Sequence, residues 1–135
     1  MTRFGSSERL ASWAGMCPGN HESAGKQRSG KPRKGSKWLG TYLTEAAQAA
    51  GRSKDTYLGA QYQRLRGRRG PGRATKAVGH SILVAAFHVL DKQVAYQDLG
   101  ADWFVKRRPE AQTRKLIQQL NTLGYTVTLN PIQAA

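Results

Sequence analysis

The sequence has little cysteine, few acidic residues and no long apolar run, and each shortage excludes a class of protein. Cys17 is the single cysteine, so an internal disulfide framework is excluded and a zinc site would need other ligand types. The longest apolar stretch, residues 82–87, extends only to Leu90, far short of the roughly 20 residues of a membrane-spanning helix. Residues 1–15 lack the layout of a signal peptide. We therefore expect a soluble cytoplasmic protein with no membrane partner.

Basic residues dominate the charge. The 135 residues include 22 Lys and Arg against 8 Asp and Glu, which gives a formal charge of +14. Fourteen of the basic residues, but only two acidic ones, lie between Lys26 and Lys76. A concentrated basic zone is typical of proteins that contact the backbone of DNA or RNA. A solvated surface or a disordered basic arm is the alternative interpretation.

The hydrophobic periodicity predicts one mainly α domain over residues 1–135, with about five helices. The expected helix starts are Ser6 or Ser7, Ser36, Ser53 and Pro109 as caps or first residues, with a further helix over about 73–90. Gly51 is the expected end of the second helix. Residues 16–35 contain too many Gly and Pro residues for a regular element, which indicates a long basic loop or an irregular hairpin. Residues 125–129 alternate like a short C-terminal strand.

Several apolar and aromatic side chains are expected in the core. The three tryptophans each fall on an apolar stripe, which favours packing over base stacking, and His80 and His88 are interpreted as core histidines. The last helix has a predicted buried face, which consists of Leu116, Ile117, Leu120 and Leu123.

A serine lies between small residues just before the basic zone. Ser23 belongs to the stretch SWAGMCPGNHESAGK, and Lys26 and Arg28 could donate hydrogen bonds to a phosphate there. A serine hydroxyl is a poor nucleophile unless a neighbour activates it, so on its own this pattern is typical of a turn residue.

The ordered motifs nevertheless carry a resemblance. The string LASWAGMCPGNHESAGKQRSGKPRKGSKWL over residues 10–39 resembles the C-terminal transposase domain of the insertion-sequence family one-ten. The later stretches AVGHSILVAAFHVL, YQDLGADWF and LIQQLNTLGYTVTL resemble the C-terminal helices of the same family. Members of this family are DEDD RuvC-like transposases, also known as bridge-RNA-guided recombinases. Nearly the whole chain is covered by the resemblance.

The resemblance implies a catalytic serine that forms a phosphoserine link to DNA. By position that residue is Ser23, with Ser29 and Ser36 as rival nucleophiles. Ala24 departs from the family pattern, because glycine is frequent there, and Gly40 stands where arginine is usual. The residues expected to bind nucleic acid are Lys26, Arg28, Lys31, Arg33, Lys34, Lys37, Arg64 and Arg68.

The resemblance also implies parts that these residues do not supply. No convincing metal set occurs in the sequence, and Mg²⁺ is expected in an N-terminal RuvC-like DEDD domain that is absent here. The chain is therefore interpreted as a C-terminal piece of a bacterial transposase, nucleoid-associated when bound to DNA and inactive on its own. DNA, a bridge RNA and further copies of the intact protein are the implied partners. The alternative is a non-catalytic basic module that binds DNA or RNA.

Overall fold

The computed structural model describes residues 1–19 and 21–130, except for the side chains of His21, Gln27 and Arg28. It divides into two compact units, Met1–Ala101 and Asp102–Ala135. The described residues confirm a mainly α fold with six helices and one short hairpin. In chain order the elements are α1 (Ser7–Trp13), β1 (His21–Ser23), β2 (Lys26–Ser29), α2 (Lys37–Arg52), α3 (Tyr57–Arg69), α4 (Pro71–Lys92), α5 (Trp103–Lys106) and α6 (Pro109–Thr122).

Side-chain caps fix the starts of the first three helices. The Ser6 hydroxyl accepts a hydrogen bond from the Arg9 amide at 3.4 Å, and the Ser36 hydroxyl accepts one from the Leu39 amide at 3.4 Å. Both serines were expected as caps, and both are confirmed. The third helix begins later than predicted, because Thr56 rather than Ser53 caps it. Each cap satisfies an amide that has no partner within its own helix.

Gly51 lies inside α2 instead of ending it, so that prediction is wrong. A Cβ atom built at Gly51 would lie 2.7 Å from the ring of Tyr62 on α3. The glycine is therefore needed for close packing of α2 against α3, and not for a left-handed cap. Gly70, by contrast, has a φ of +83° and is the single residue between α3 and α4. Pro71 follows as the first residue of α4, a position that needs no amide hydrogen.

Helix α4 is the centre of the first unit, as its apolar second half predicted. It packs against α1, α2 and α3. One face buries Leu83 and Phe87 in a cluster with Leu10, Met16 and other residues of α1 and α2. Burial of such side chains supplies about 1.5–3 kcal/mol each. The core therefore holds α1 and α2 against a common helix and includes Met16 from the start of the segment between them.

Several expected core residues are exposed. Trp13 and Trp38 are 57% and 76% exposed, and His88 is exposed while His80 is half-buried. The face of α6 that was predicted to be buried leaves Leu116, Leu120 and Leu123 exposed. Periodicity detects an apolar face correctly, but it does not show whether another element covers that face.

The predicted C-terminal strand is wrong as well. Residues 125–130 have no regular structure in the part of the chain that is described. A single extended segment leaves its amides and carbonyls unpaired unless a neighbouring strand accepts it, and the only described strands pair with each other. Among the described residues no helix is long and apolar enough to span a membrane.

Candidate nucleic-acid interface

The basic loop after β2 is held against the end of α1 by contacts between backbones. A Cβ atom built at Gly15 would lie 2.6 Å from the Arg33 carbonyl oxygen, and one built at Gly35 would collide with the Ala14 carbonyl group. Gly15 also has a φ of +68°, which residues other than glycine rarely adopt. We call these close contacts, of Gly15 with the backbone of Arg33 and Gly35 and of Gly35 with the backbone of Ala14, the glycine clasp. It places the cations of residues 31–37 at a fixed position beside the helices.

Helix α4 presents a polar stripe toward this loop. Arg73, Lys76 and His80 recur at three- and four-residue spacing, so they lie on one side of the helix. The stretch from Gly72 to Ser81 corresponds to about 14 Å of helix. This stripe interrupts an otherwise apolar helix, which explains why α4 is central to the core and still contributes a surface.

The loop and the stripe enclose a groove of about 1320 Å³. Its lining contains seven cations and no acidic residue, and the cations are Lys31, Arg33, Lys34, Lys37, Arg69, Arg73 and Lys76. Six of them are exposed and form what we call the groove rim, whereas Lys76 is half-buried. The volume exceeds the roughly 300–1,000 Å³ of pockets for small ligands, so a segment of a polymer fits it better.

The groove cations have no carboxylate to balance them. None of these cations belongs to the ion pair that the described residues form between Lys106 and Asp102 in the second unit. Seven like charges around one cavity repel each other, and the repulsion is relieved when an anion enters. The charge of the groove therefore suits a polyanion.

Ser23 lies outside this groove. It pairs with Lys26 beside the two-residue turn of the hairpin, where Ala24 and Gly25 have φ values of +52° and +72°. Positive φ at both central residues is the pattern of a type I′ turn. Ser23 is exposed, and no described side chain forms a hydrogen bond with its hydroxyl. Ser29, at the other end of β2, does line the groove, so the hairpin extends about 10 Å from the groove edge to its tip.

The rival serines have structural roles. The Ser36 hydroxyl caps α2, and the Ser29 hydroxyl accepts a hydrogen bond from the Lys31 amide at 3.2 Å. Both residues line the groove. A hydroxyl that already caps a backbone amide retains only part of its hydrogen-bonding capacity for other chemistry.

The structure brings together half of the residues predicted to bind nucleic acid. Lys31, Arg33, Lys34 and Lys37 line the groove, and Lys26 is exposed beside the hairpin turn. Arg64 and Arg68 are exposed on α3 and do not line the groove. The side chain of Arg28 lies outside the described residues.

Sequence reasoning missed one wall of the groove. Arg69, Arg73, Lys76 and His80 were not among the predicted binding residues, although they also line the groove. The spacing of Arg73, Lys76 and His80 on an apolar helix is the pattern that could have identified them. What the sequence does not contain is the pairing of that stripe with a loop more than 30 residues earlier.

One carboxylate outside the groove, that of Asp98, accepts hydrogen bonds from two backbone amides. Asp98 accepts hydrogen bonds from the Tyr57 amide at 2.9 Å and the Gly100 amide at 2.7 Å. The bond from the Tyr57 amide is the main cause of a pKa below the usual range for Asp98. Because Tyr57 is the first residue of α3, Asp98 also attaches the segment after α4 to that helix. The described residues hold no group of three or more His, Cys, Asp or Glu side chains placed to share a metal ion.

The fold and the groove define a small helical protein with a cationic surface suited to a polyanion. Residues 1–63, which include α1, the hairpin, the clasped loop and α2, match the transposase IS116/IS110/IS902 family. This match supports the resemblance seen in the sequence over residues 1–63. Neither a curated protein nor a solved structure matches the chain. A transposase acts on DNA, so the family implies contact with DNA.

Proposed function

We propose that this chain is the DNA-binding, serine-bearing segment of an insertion-sequence transposase and that its groove holds the DNA backbone. The observation that carries the proposal is the groove itself, with seven cations and no acid in its lining. Phosphates that enter the groove release their counterions and relieve the repulsion among these cations. The family match over residues 1–63 supports DNA as the polyanion.

A titration of the chain with labelled DNA at several salt concentrations tests the binding step. We expect the logarithm of the affinity to fall linearly with the logarithm of the salt concentration, by about 0.9 per phosphate contact on duplex DNA and about 0.7 on a single strand. Several contacts at the groove require a slope of several units. A slope near zero, or an affinity too weak to measure at low salt, would contradict the proposal.

The chemical step is assigned to Ser23 within the intact transposase. The Ser23 hydroxyl oxygen forms a bond to a DNA phosphorus atom and gives up its proton to solvent, while the bond from phosphorus to a deoxyribose oxygen breaks. That oxygen takes up a proton from solvent and leaves as a hydroxyl, so no net proton is consumed. The energy of the phosphodiester is kept in the phosphoserine link, which allows a later reversal. Exposure of Ser23 at a hairpin tip supports this role, because a phosphate can reach it without entering the core.

The remaining machinery is proposed for the RuvC-like domain that the family resemblance implies. Magnesium ions held there would stabilise the charge on the reacting phosphate. Strand exchange also needs more than one copy of the intact protein, and a bridge RNA would select the DNA target. The 135 residues alone should bind DNA and cut nothing.

A covalent adduct tests the assignment of Ser23. The chain is mixed with DNA and with the separately expressed RuvC-like domain of a family member, and the products are separated on a denaturing gel. We expect a protein–DNA adduct that Ser23→Ala removes and that Ser29→Ala leaves in place. An adduct that survives Ser23→Ala, or that disappears only with Ser29→Ala, would transfer the role to another residue.

A non-catalytic module that binds DNA or RNA is the second candidate function. It is favoured by one observation, which is that Ser23 does not line the groove. The same adduct experiment separates the two functions, because a binding module gives no adduct with any serine variant while it retains the salt-dependent binding.

A further inference from the structure

The most exposed large apolar side chain among the described residues lies next to the groove lining. Trp38, in the first turn of α2, is 76% exposed, and Tyr42, one turn later, is 66% exposed. Residues four apart lie on the same side of a helix, so the two rings form one aromatic surface, which we call the α2 platform. Single exposed apolar side chains are ordinary, but two neighbouring exposed aromatic side chains indicate a contact site.

Trp38 differs from the other two tryptophans. The ring of Trp13 packs against Phe4, with 5.4 Å between ring centroids, and the ring of Trp103 packs against Phe104, with 5.0 Å between centroids. Trp38 makes no such ring contact in the part of the chain that the structure describes. Contacts inside the protein therefore account for two of the rings, whereas the Trp38 ring is available to another molecule.

Cations border the platform at its groove end. Lys37 directly precedes Trp38 and lines the groove, and Lys34 belongs to the same lining four residues before Trp38. The first turn of α2 contains no acidic residue. Glu45, the single acid of α2, follows Tyr42 by three residues, so it lies toward the other end of the platform. A partner that approaches Trp38 meets positive charge beside the ring, which favours a polyanion over an apolar protein surface.

A single strand of nucleic acid has both properties that this surface requires. Its phosphates suit the groove rim, and its unpaired bases expose flat faces that stack on aromatic side chains. In a duplex, neighbouring base pairs cover those faces. Consecutive Cα atoms are about 3.8 Å apart, so a nucleotide whose phosphate contacts Lys37 has its base within reach of the Trp38 ring.

We propose that the α2 platform stacks on unpaired bases of a DNA strand that leaves the groove past Lys37. The inference rests on the proposed DNA binding and deepens it, because it makes single-stranded or locally opened DNA the ligand of this surface. Trp38 is the principal contact, and Tyr42 extends the surface along the helix. Base stacking tolerates any base, so the platform adds affinity for open DNA without reading its sequence.

The experiment compares two labelled DNA strands of equal length, one with mixed bases and one with an abasic sugar at every position. We expect Trp38→Leu to lower the affinity for the mixed-base strand about fivefold or more and to leave the affinity for the abasic strand unchanged. Trp38→Phe keeps an aromatic ring and should recover most of the loss. Gln48→Leu, at an exposed position of α2 outside the groove lining, is the matched control and should change neither affinity. Because all three variants change exposed side chains, their melting temperatures should match that of the unchanged protein.

The fluorescence of Trp38 reports the contact directly. A variant with Trp13→Phe and Trp103→Phe keeps Trp38 as the only tryptophan, and each new phenylalanine still presents a ring to its neighbour. We expect the mixed-base strand to quench the emission of Trp38 by stacking and the abasic strand to leave it nearly unchanged. The companion variant with Trp38→Phe and Trp103→Phe has only Trp13, whose emission should respond far less to the mixed-base strand.

The other outcomes overturn separate levels of the proposal. An equal loss on both strands with Trp38→Leu, or no loss on either, would overturn the platform as a stacking site while the DNA-binding proposal stands. Trp38 emission that is shifted to the blue before DNA is added, and that depends on protein concentration, would assign the platform to a second copy of the chain. Quenching by an RNA strand of the same sequence, with none by the DNA strand, would overturn DNA as the ligand. Failure of the unchanged protein to bind either DNA strand at low salt would overturn the DNA-binding function itself.

Discussion

The groove and the hairpin tip differ in how their backbones are held. At the groove, Gly15 and Gly35 permit contacts between backbones that any side chain would prevent. At the tip, a Cβ atom built at Gly25 would meet nothing within 4 Å, and the glycine serves only its positive φ. The first region is fixed by packing and the second by the turn alone. The proposed phosphate grip is thus rigid, whereas the proposed nucleophile lies on a ribbon with only local support.

Breaking the glycine clasp gives the largest expected effect. Gly35→Ala places a methyl group against the Ala14 carbonyl, so the loop has to leave α1. We expect a loss of about 3 kcal/mol or more in the free energy of unfolding, the upper range for a single substitution, because backbone on both sides must move. Chemical denaturation followed by circular dichroism measures the change. Gly30→Ala is the control, since nothing lies within 4 Å of its built Cβ, and a similar loss there would refute the clasp.

Removing two cations from the groove should weaken DNA binding without affecting folding. Arg73→Gln combined with Lys76→Gln should lower the slope of log affinity against log salt concentration by about 1.4–1.8, the value for two phosphate contacts. The affinity at low salt should fall by about tenfold. The double variant Arg52→Gln, Lys54→Gln removes equal charge outside the groove lining and should change the slope far less. An equal effect of the two pairs would mean that net charge, and not the groove, governs binding.

The hairpin tip can be strengthened independently. Ala24 has a φ of +52°, which glycine or asparagine adopts more easily. Ala24→Asn should stabilise the turn by about 0.5 kcal/mol and leave the groove's salt slope unchanged. Amide exchange of the hairpin, compared with that of α4, provides the measurement. Faster exchange in the hairpin would contradict the assigned turn.

The smallest expected effect is the pH dependence of stability that arises from Asp98. Its pKa is lowered in the folded state by the bond from the Tyr57 amide. The contribution of Asp98 to the free energy of unfolding is therefore complete above its unfolded pKa of about 4. It is lost as the pH falls through the pKa of the folded state. Asp98→Asn should flatten the decline of the melting temperature in that acidic range and leave DNA binding at pH 7 unchanged. An unaltered acidic decline would show that Asp98 does not carry it.

The sequence predicted where the helices begin, but it did not predict which residues other helices cover. Ser6, Ser36 and Pro109 begin helices as expected, because capping depends on a few neighbouring residues. Gly51 was misread, since the ring that excludes a side chain there belongs to Tyr62 on another helix. Trp38 was misread for the same reason: its apolar stripe is real, but no described element covers it.

Only one of the two walls of the groove could be predicted from the sequence. The cations before α2 are close together in sequence, so composition alone identified them. Arg73 and Lys76 join them only through the clasp and the packing of α4, which are tertiary events. The place of Ser23 relative to the groove likewise depends on the direction of the hairpin, which no spacing in the sequence reveals.

The groove also has a consequence for how the protein is made. Its lining comes from two separate stretches, within residues 14–40 and 61–81, so no short continuous peptide of the chain contains the complete surface. During synthesis at about 5–20 residues per second, Ser81 follows Lys31 by about 2.5–10 s. During that interval the loop cations lack the second wall of the groove. The groove is thus complete only when α4 has been translated and has docked.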